Sequence, residues 1–213
     1  MSNITYRRAE KDEFEKCLDI VYEAFEDYSM YHVFIPNPES NLANFNRAIM
    51  SCQLADTMAN GIVMVAERDG EILAVSQIHS PEYKEATVFQ YLFLGAFSVF
   101  RYGGIRNALG FLDMVEKCNA SNIEFQKNTP NCWNLECIAV GKKYHGQGIG
   151  SRFIQDCIIP FVKKEGAKCI TLITNEEKNT HFYKKNGFEL TIDEQKLTFN
   201  NKPLTNWSFK RDL

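Results

Sequence analysis

The sequence predicts a mixed α/β fold, because short runs of β-branched and aromatic residues alternate with longer segments of helical periodicity. Two tight-turn signals, Asp69-Gly70 and Asn200-Asn201, each separate a pair of β-rich runs and predict hairpins. The chain has 213 residues and 45% hydrophobic content. This length suffices for one large core, and we expect a single domain over residues 1–213.

The first half of the chain predicts two helices and a hairpin. A strand, "ITYRRA", precedes a helix in "KDEFEKCLDIVYEAFED", where apolar residues recur at helical spacing. A second helix is expected at about residues 44–59. The segment "GIVMVAERDGEILAVSQIHS" is then the first hairpin, whose Asp-Gly supplies the positive φ angles of a tight turn.

An insertion of about residues 81–131 is expected before the next strand, "CWNLECIAV". Two helices should lie between Glu85 and Cys118, with a break at Gly103-Gly104, followed by the polar linker "NASNIEFQKNTPN". The aromatic run from Phe89 to Phe100 is typical of core. The apolar segment from Val88 to Phe100 covers 13 residues, short of the ~20 that cross a bilayer, so we expect no membrane span.

The last third predicts a helix from about Gly148 to Glu165, in which Pro160 should cause a kink because it removes the bond to the Asp156 carbonyl. A strand, "KCITLIT", and a short helix, "NTHFYKKNG", closed by Gly187, come next. The final hairpin joins "QKLTF" to "LTNWSF".

Composition narrows the class of function. A net charge of -3 and a pI near 5.9 give no electrostatic footprint for nucleic acid. The seven cysteines include no CxxC pair, and we expect all of them to be reduced in a cytoplasmic protein. No apolar leader stands at the N-terminus. His145 and His181 have no third ligand at a metal-binding spacing, so we expect no metal.

The stretch "YHGQGIGSRF" indicates an anion site, because a strand leads through a glycine-rich turn into a helix N-terminus. Amides there have no internal partner, and glycines let a diphosphate approach the main chain. A Walker A loop needs lysine where Gln147 stands, and the G-x-G-x-G spacing departs from the dinucleotide fingerprint. A glycine-rich loop without a ligand stays open as an alternative.

Two segments carry a family resemblance. "LECIAVGKKYHGQGIGSRFI" resembles the pyrophosphate-binding motif of the GCN5-related N-acetyltransferases (GNAT), Q/R-x-x-G-x-G/A, with His145 at its first position, and "NEEKNTHFYKKNGFEL" is similar to a later element of that family. The resemblance implies a central, mostly antiparallel twisted sheet flanked by helices. The insertion would then lie between strands 3 and 4.

The resemblance also implies acetyl-CoA as the acyl donor and assigns its contacts residue by residue. The strand main chain would pair with the pantetheine arm, the glycine turn would hold the diphosphate, and the later helix would add two side chains. The implied cofactor-binding residues are Ile138, Ala139, Val140, His145, Gly146, Gln147, Gly148, Ile149, Gly150, Ser151, Asn179 and Phe182. Asn179 also fits a plain N-cap role.

Acetyl transfer to an amine needs a base, because an amine of pKa ~10.4 is protonated at neutral pH. Glu136 is the candidate: regular pleating puts it on one face with Ile138 and Val140, where a carboxylate is uncommon. A salt-bridged glutamate is the alternative. Tyr183 is the candidate acid for the leaving thiolate, against a plain core tyrosine. Cys137 is a tempting nucleophile, but no pattern in the sequence pairs it with a base, and we expect it to be a buried strand cysteine.

The acceptor is expected to be a small-molecule or peptide amine, and 27 Asp and Glu against 24 Lys and Arg slightly favour a cationic one. The aromatic run of the insertion is a candidate wall of its pocket. Two other interpretations stay open: a non-catalytic acyl-CoA-binding module that docks partners through the insertion, and association of that segment with a membrane surface. A homodimer also stays open.

Overall fold

The computed structural model describes residues 3–213, and within them every side chain but those of Val88, Ile192 and Asp193. The strands are β1 Thr5–Arg8, β2 Ile62–Arg68, β3 Glu71–His79, β4 Cys132–Val140, β5 Cys169–Thr174, β6 Glu189–Phe199 and β7 Lys202–Asp212. The helices are α1 Phe14–Phe25, α2 Leu42–Asn60, α3 Val88–Phe93, α4 Ala96–Lys127, α5 Ile149–Arg152, α6 Ile159–Lys164 and α7 Glu177–Lys185.

The described strands form one sheet in the order β1-β2-β3-β4-β5-β7-β6. The β4–β5 pair is parallel and every other pair is antiparallel. The predicted mixed α/β fold with a mostly antiparallel sheet is confirmed. The helical insertion between strands 3 and 4 is confirmed too, since α3 and α4 lie there.

Helices cover both faces of the sheet, because each face carries its own apolar cluster. Phe45 of α2, Leu18 of α1 and Phe111 of α4 pack on one face, against strand residues such as Val75. On the other face, the segment from α5 to α6 packs through Phe153 and its neighbours. Both faces are therefore withdrawn from water, which stabilises the sheet between two helical layers.

Both predicted hairpins form at the predicted turns. Asp69 and Gly70 have φ angles of 55° and 79°, and Asn200 and Asn201 have φ angles of 48° and 59°. Positive φ at both central residues is the conformation that matches the twist of the flanking strands, and Asn, Asp and Gly adopt it most readily.

The insertion is more helical and less buried than the sequence predicts. Its helix breaks at Gly104, with φ 73° and ψ 161°, as expected, but α4 then continues to Lys127. The linker prediction is therefore wrong over residues 119–127. The core prediction for the aromatic run is also wrong at three positions, since Phe89, Phe93 and Phe97 are 68%, 77% and 69% exposed.

Pro160 is accommodated by a wider turn. The residues just before α6, Phe153–Ile158, form a π-helical turn, and Pro160 occupies the first turn of α6. The Ile159 amide donates to the Ile154 carbonyl. A π-helical turn changes the bonding register ahead of the proline, where the missing N–H and the ring would otherwise disturb the helix.

Cys132 and Cys169 form a disulfide between β4 and β5, with Cα atoms 4.8 Å apart. The expectation that all seven cysteines are reduced is therefore wrong for this pair. The sequence offers no warning, because the two residues lie 37 positions apart and become register partners only in the parallel pair. Disulfides are rare in reducing compartments, so the cytoplasmic location stays a prediction.

Within residues 3–213, no helix is both long and apolar enough to cross a membrane.

Gly103 permits the close approach of α4 to α2, because a Cβ at this position would lie 2.0 Å from the Phe45 ring. We expect Gly103→Ala to lower the free energy of unfolding by about 1–3 kcal/mol, since overpacking outweighs the better helix propensity of alanine. Urea denaturation measures it. The exposed α4 variant Glu116→Ala is the control and should change stability by less than about 0.5 kcal/mol; equal stability of the two variants would contradict the close approach.

Candidate active site

A cleft opens where β4 and β5 separate. The two strands pair only from Cys132 to Asn134 on β4, opposite residues 169–171 on β5. Beyond Asn134, none of the described strands pairs with this edge of β4, while β3 still pairs with the other edge as far as Val140. The cleft has a volume of about 730 Å³. Its wall includes main chain of β4 that pairs with no described strand on this side, and a ligand can bind to such main chain.

Glu136 occupies a β-bulge beside this cleft. Gln77 of β3 pairs with Cys137, whereas the next residue of β3, Ile78, pairs with Leu135, so β4 holds one extra residue. The predicted shared face of Glu136, Ile138 and Val140 is therefore interrupted: Leu135 and Ile138 pack in the same apolar cluster, which strict alternation would not allow. A bulge turns a side chain out of the regular pattern, and here Glu136 faces two cavities.

The surroundings of Glu136 hold its carboxyl in a state suited to accepting a proton. Its pKa is raised to about 7, chiefly by burial and also by the nearby Glu85 and Asp56 charges, against the opposing effect of a hydrogen bond from Asn134. Asn134 Nδ2 donates to Oε2 at 2.9 Å. No described residue donates to Oε1, which is therefore open to a ligand.

His79 lies beside Glu136 without forming an ion pair. Its Nδ1 is 3.9 Å from Glu136 Oε2, and its Nε2 is 3.1 Å from the Thr57 hydroxyl. Burial lowers the pKa of His79 to about 4. The imidazole is therefore uncharged at neutral pH, and it does not neutralise Glu136.

The glycine-rich turn presents main-chain amides to the other end of the cleft. Gly146 and Gly148 have φ angles of 76° and 72°, and no atom lies within 4 Å of the Cβ position of either. The first helical bond is donated by Arg152 to the Gly148 carbonyl at 3.1 Å. The amides from Gly146 to Ser151 therefore precede the helical bonding pattern and can bind an anion.

Gly150 serves a different purpose in the turn. A Cβ there would lie 3.2 Å from the Phe182 ring, so the missing side chain lets α5 approach α7 closely. The turn is also held from α1, because Glu23 accepts a hydrogen bond from the Lys142 amide at 3.0 Å and Glu26 forms an ion pair with the Lys142 ammonium.

Tyr183 lies in the cleft wall with its ring buried and its hydroxyl unpaired. The ring packs against Phe188 and Phe209, each with centroids 5.8 Å away, and the residue is 9% exposed. No described residue forms a hydrogen bond with its hydroxyl. Burial raises the pKa of the phenol well above its usual range, so it stays protonated and can donate.

Asn179 does not cap α7. The helix begins at Glu177, two residues earlier than the sequence predicts, and its N-cap is Glu176. The N-cap interpretation of Asn179 is therefore wrong. Its side chain donates to the Thr174 hydroxyl at 3.1 Å, which fixes it against the end of β5 on the cleft wall.

The cleft brings together most of the residues expected in the site. Lining it are Glu136, Ile138, Val140, His145, Gly146, Gly148, Ile149, Gly150, Ser151, Asn179, Phe182 and Tyr183. Two expected residues do not line it: the Ala139 side chain packs in the opposite cluster, and Gln147 is exposed. His145 is tied to the strand, since its Nε2 lies 2.9 Å from the Val140 carbonyl oxygen.

A second pocket of about 520 Å³ adjoins the cleft at Glu136. Its lining includes Asp56, Thr57, His79, Tyr83, Glu85, Tyr91 and Lys127. Sequence reasoning missed this pocket, as it missed Lys178 in the cleft. One signal was readable: Asp56 stands at helical spacing from Ile49 and Cys52, and all three are buried. Glu85 carries no such signal.

No group of three or more His, Cys, Asp or Glu side chains within the described part of the chain could hold a metal ion.

Comparison with known proteins matches part of the chain to a family model and the whole chain to a known fold. The model of the Acetyltransferase (GNAT) domain matches residues 95–190. No curated protein matches the chain. Among solved structures, the chain is similar to an agmatine N-acetyltransferase in its apo form, with a TM-score of 0.65 and 14% identity over 99% of this chain and 100% of that one.

Two further structures share the fold. A polyamine N-acetyltransferase of Drosophila melanogaster matches with a TM-score of 0.62 and 15% identity over 99% and 100% of the two chains. A histone acetyltransferase HPA2 and related acetyltransferase of Corynebacterium glutamicum matches with a TM-score of 0.60 and 18% identity over 100% and 97%. Residues 95–190 therefore match a GNAT domain, and the whole chain shares the fold of these acetyltransferase structures.

No described atom lies near the Cβ position of Gly148, so a substitution at this residue tests whether the glycine turn binds CoA. We expect Gly148→Ala to weaken CoA binding at least about tenfold, because a side chain strains the positive φ by about 1–2 kcal/mol and displaces the amides. Isothermal titration calorimetry measures the dissociation constant.

Gly70→Ala is the matched control, since Gly70 has a φ of 79° and equally open surroundings. It should cost similar stability and leave CoA binding unchanged. If both variants bind CoA as the parent does, the turn does not hold the ligand.

Proposed function

We propose that the protein transfers the acetyl group of acetyl-CoA to a primary amine by direct attack on the thioester, with Glu136 as the base and Tyr183 as the acid. One observation carries the proposal: the unpaired edge of β4, the free amides of the glycine turn and the Glu136 carboxylate all meet in one cleft. A long ligand with a phosphate end and an amide-containing arm fits such a surface.

The residues present fit acetyl-CoA. The amides from Gly146 to Ser151 would bind the diphosphate, with Lys178 nearby as a cation. The main chain of Ile138, Ala139 and Val140 would pair with the pantetheine arm, and Asn179 and Phe182 would line its other side. Gln147 would contribute through its amide, since its side chain is exposed. Acetyl-CoA supplies the acetyl thioester.

Glu136 would accept the proton that the attacking nitrogen must lose. The amine attacks in its neutral form, its nitrogen forms a bond to the thioester carbonyl carbon, and one proton of that nitrogen passes to Glu136 Oε1, the oxygen left open by Asn134. A carboxyl whose pKa is raised to about 7 is a stronger base than an ordinary glutamate and is still ionised in part at neutral pH.

Tyr183 would protonate the leaving group. As the carbon–sulfur bond breaks, the sulfur takes a proton from the phenol, whose hydroxyl has no partner among the described residues. Burial raises the pKa of the Cys137 thiol to about 12, so that thiol stays protonated and is a poor nucleophile. The cleft thus favours direct transfer over a covalent acyl-cysteine route.

Free-thiol release from acetyl-CoA in the presence of pooled amines tests the proposal. Release above a blank without amine is the expected result. Tight CoA binding without release on any pool would instead favour the non-catalytic acyl-CoA-binding module.

The raised pKa of Glu136 predicts how turnover depends on pH. At saturating amine, kcat should rise with pH through an apparent pKa near 7, because the carboxylate is the active form. Glu136→Gln should lower kcat by about 10²–10⁴-fold and abolish this rise.

The same group affects stability with a definite sign. Its folded-state pKa lies above the unfolded value, so its contribution to stability is lost as pH rises from about 4.5 through about 7. The melting temperature of Glu136→Gln relative to that of the parent protein should therefore increase between pH 5 and pH 8. If this difference in melting temperature does not change with pH, the raised pKa of Glu136 is contradicted.

Tyr183→Phe should lower kcat by roughly 10²-fold, the low end of the range for general acid catalysis, and leave the melting temperature nearly unchanged because the ring remains. Tyr28→Phe is the control in the same cleft. Tyr28 is already bonded to Thr174 and accepts from the Asn175 amide at 2.6 Å, so its loss should lower stability more than kcat. The opposite pattern would remove Tyr183 from the mechanism.

A further inference from the structure

The second pocket holds more negative charge than its walls neutralise. Asp56, Glu85 and Glu136 line it, and Lys127 is the one Lys or Arg among its described lining residues. None of the three carboxylates forms an ion pair with a Lys or Arg side chain in the described structure. The pocket therefore attracts cations and repels anions.

Asp56 is buried among neutral hydrogen-bond donors. It is 1% exposed, and it accepts hydrogen bonds from the Asn60 side chain, the Ala86 amide and the Tyr83 hydroxyl. The Tyr91 hydroxyl shares its one proton between Asp56 and Glu85. These donors satisfy its oxygens and leave its charge uncompensated. Charges buried in proteins are ordinarily paired, which points to a cation supplied from outside.

Glu85 extends this negative region toward solvent. Tyr91 donates to Glu85 Oε1 at 2.9 Å, which fixes the carboxylate at the pocket wall and leaves Oε2 open. The Tyr83 ring stacks on His79, with centroids 3.6 Å apart, and forms a flat wall. Aromatic walls with carboxylates are suited to an alkyl ammonium group.

The cleft holds an unused acceptor on the strand next to Glu136. Gln77 lines the cleft and is 3% exposed, and its Oε1 has no hydrogen-bond partner in the described structure. Its register partner is Cys137, the neighbour of Glu136. A buried carbonyl without a donor is costly, and an amine nitrogen at Glu136 would bring N–H groups to satisfy it.

We infer that the acceptor is a small diamine, with one amino group between Glu136 and the Gln77 carbonyl and a second, protonated one beside Glu85 and Asp56. The inference rests on the proposed acetyl transfer and adds the class of substrate. The cleft and the second pocket are joined at Glu136, which lines both cavities. A monoamine would leave the second pocket unfilled, and an amino acid would place its carboxylate in that pocket.

Three acceptors of equal chain length test the inference: 1,4-diaminobutane, butan-1-amine and 4-aminobutanoic acid. We expect kcat/KM for the diamine to exceed that for the monoamine by about tenfold or more, since hydrogen bonds to charged groups contribute that much. The amino acid should be the poorest acceptor. Equal values for the diamine and the monoamine would overturn the inference.

Glu85→Gln keeps the Tyr91 hydrogen bond and removes the charge. It should lower the ratio of kcat/KM for diamine over monoamine by about tenfold. The ratio isolates acceptor recognition, because any effect of Glu85 on Glu136 applies to both substrates. Glu82→Gln is the control: Glu82 is exposed on the same segment and does not line the pocket. A ratio that changes equally in both variants, or in neither, would count against the site.

Calorimetric titration of CoA-saturated protein with 1,4-diaminobutane separates this inference from the proposed function. Diamine binding that Glu85→Gln weakens, without turnover of any amine, would support the site and overturn acetyl transfer. Turnover of the monoamine and the amino acid as fast as the diamine would support acetyl transfer and overturn the diamine site. Absence of both binding and turnover would overturn both.

Discussion

The divergence of β4 from β5 determines where ligands can enter this molecule. Two adjacent parallel strands are normally joined along their length, but these pair over three register positions, residues 132–134 on β4. The disulfide between Cys132 and Cys169 lies at this closed end. From there the bulge at Glu136 turns β4 away from a regular pleat. This separation leaves one edge of β4 unpaired and opens the cleft. It also exposes the Glu136 carboxylate to the cleft.

The open end of the split is held by contacts from α1 and from the segment after it. Tyr28 binds Thr174 and the Asn175 amide at the end of β5, while Glu23 binds the loop after β4. The same region of the chain thus fixes both walls. The glycine turn on one wall and α7 on the other then meet where Phe182 covers Gly150. This arrangement keeps the amides of the turn in place before any ligand arrives.

The site holds three carboxyl groups near one another, those of Glu136, Glu85 and Asp56, and their mutual repulsion affects the pKa of Glu136. Glu136 is raised in pKa by burial and by two further carboxylates, and the neighbouring imidazole of His79 is uncharged because burial lowers its pKa. A cationic partner beside Glu136 would have lowered its pKa and weakened it as a base. The same uncompensated charge that suits Glu136 to the proposed role of base also suits the adjoining pocket to a cation. The proposed base and the proposed acceptor therefore depend on one physical cause.

The order of strands and helices, both hairpin turns and the helix break at Gly104 could be predicted from sequence, because each depends on local preferences of φ or on periodicity within one segment. The glycine turn was predictable for the same reason. Its motif and the later Asn179 to Tyr183 segment lie about 30 residues apart, and the resemblance to a family, rather than local physics, brought them together.

Contacts between distant segments were decided only by the tertiary structure. Strict alternation along β4 could not reveal the bulge at Glu136, since register depends on β3. The disulfide joins residues that no spacing rule connects, and the second pocket is built from α2, the segment after β3 and α4. The exposure of Phe93 shows the same limit. Composition favours burial, but burial requires a partner surface, and the described part of the chain leaves this side chain 77% exposed. The sequence by itself determined the elements and the glycine turn. Their packing decided which carboxyl group has a raised pKa, because burial and neighbouring charge exist only in the folded chain.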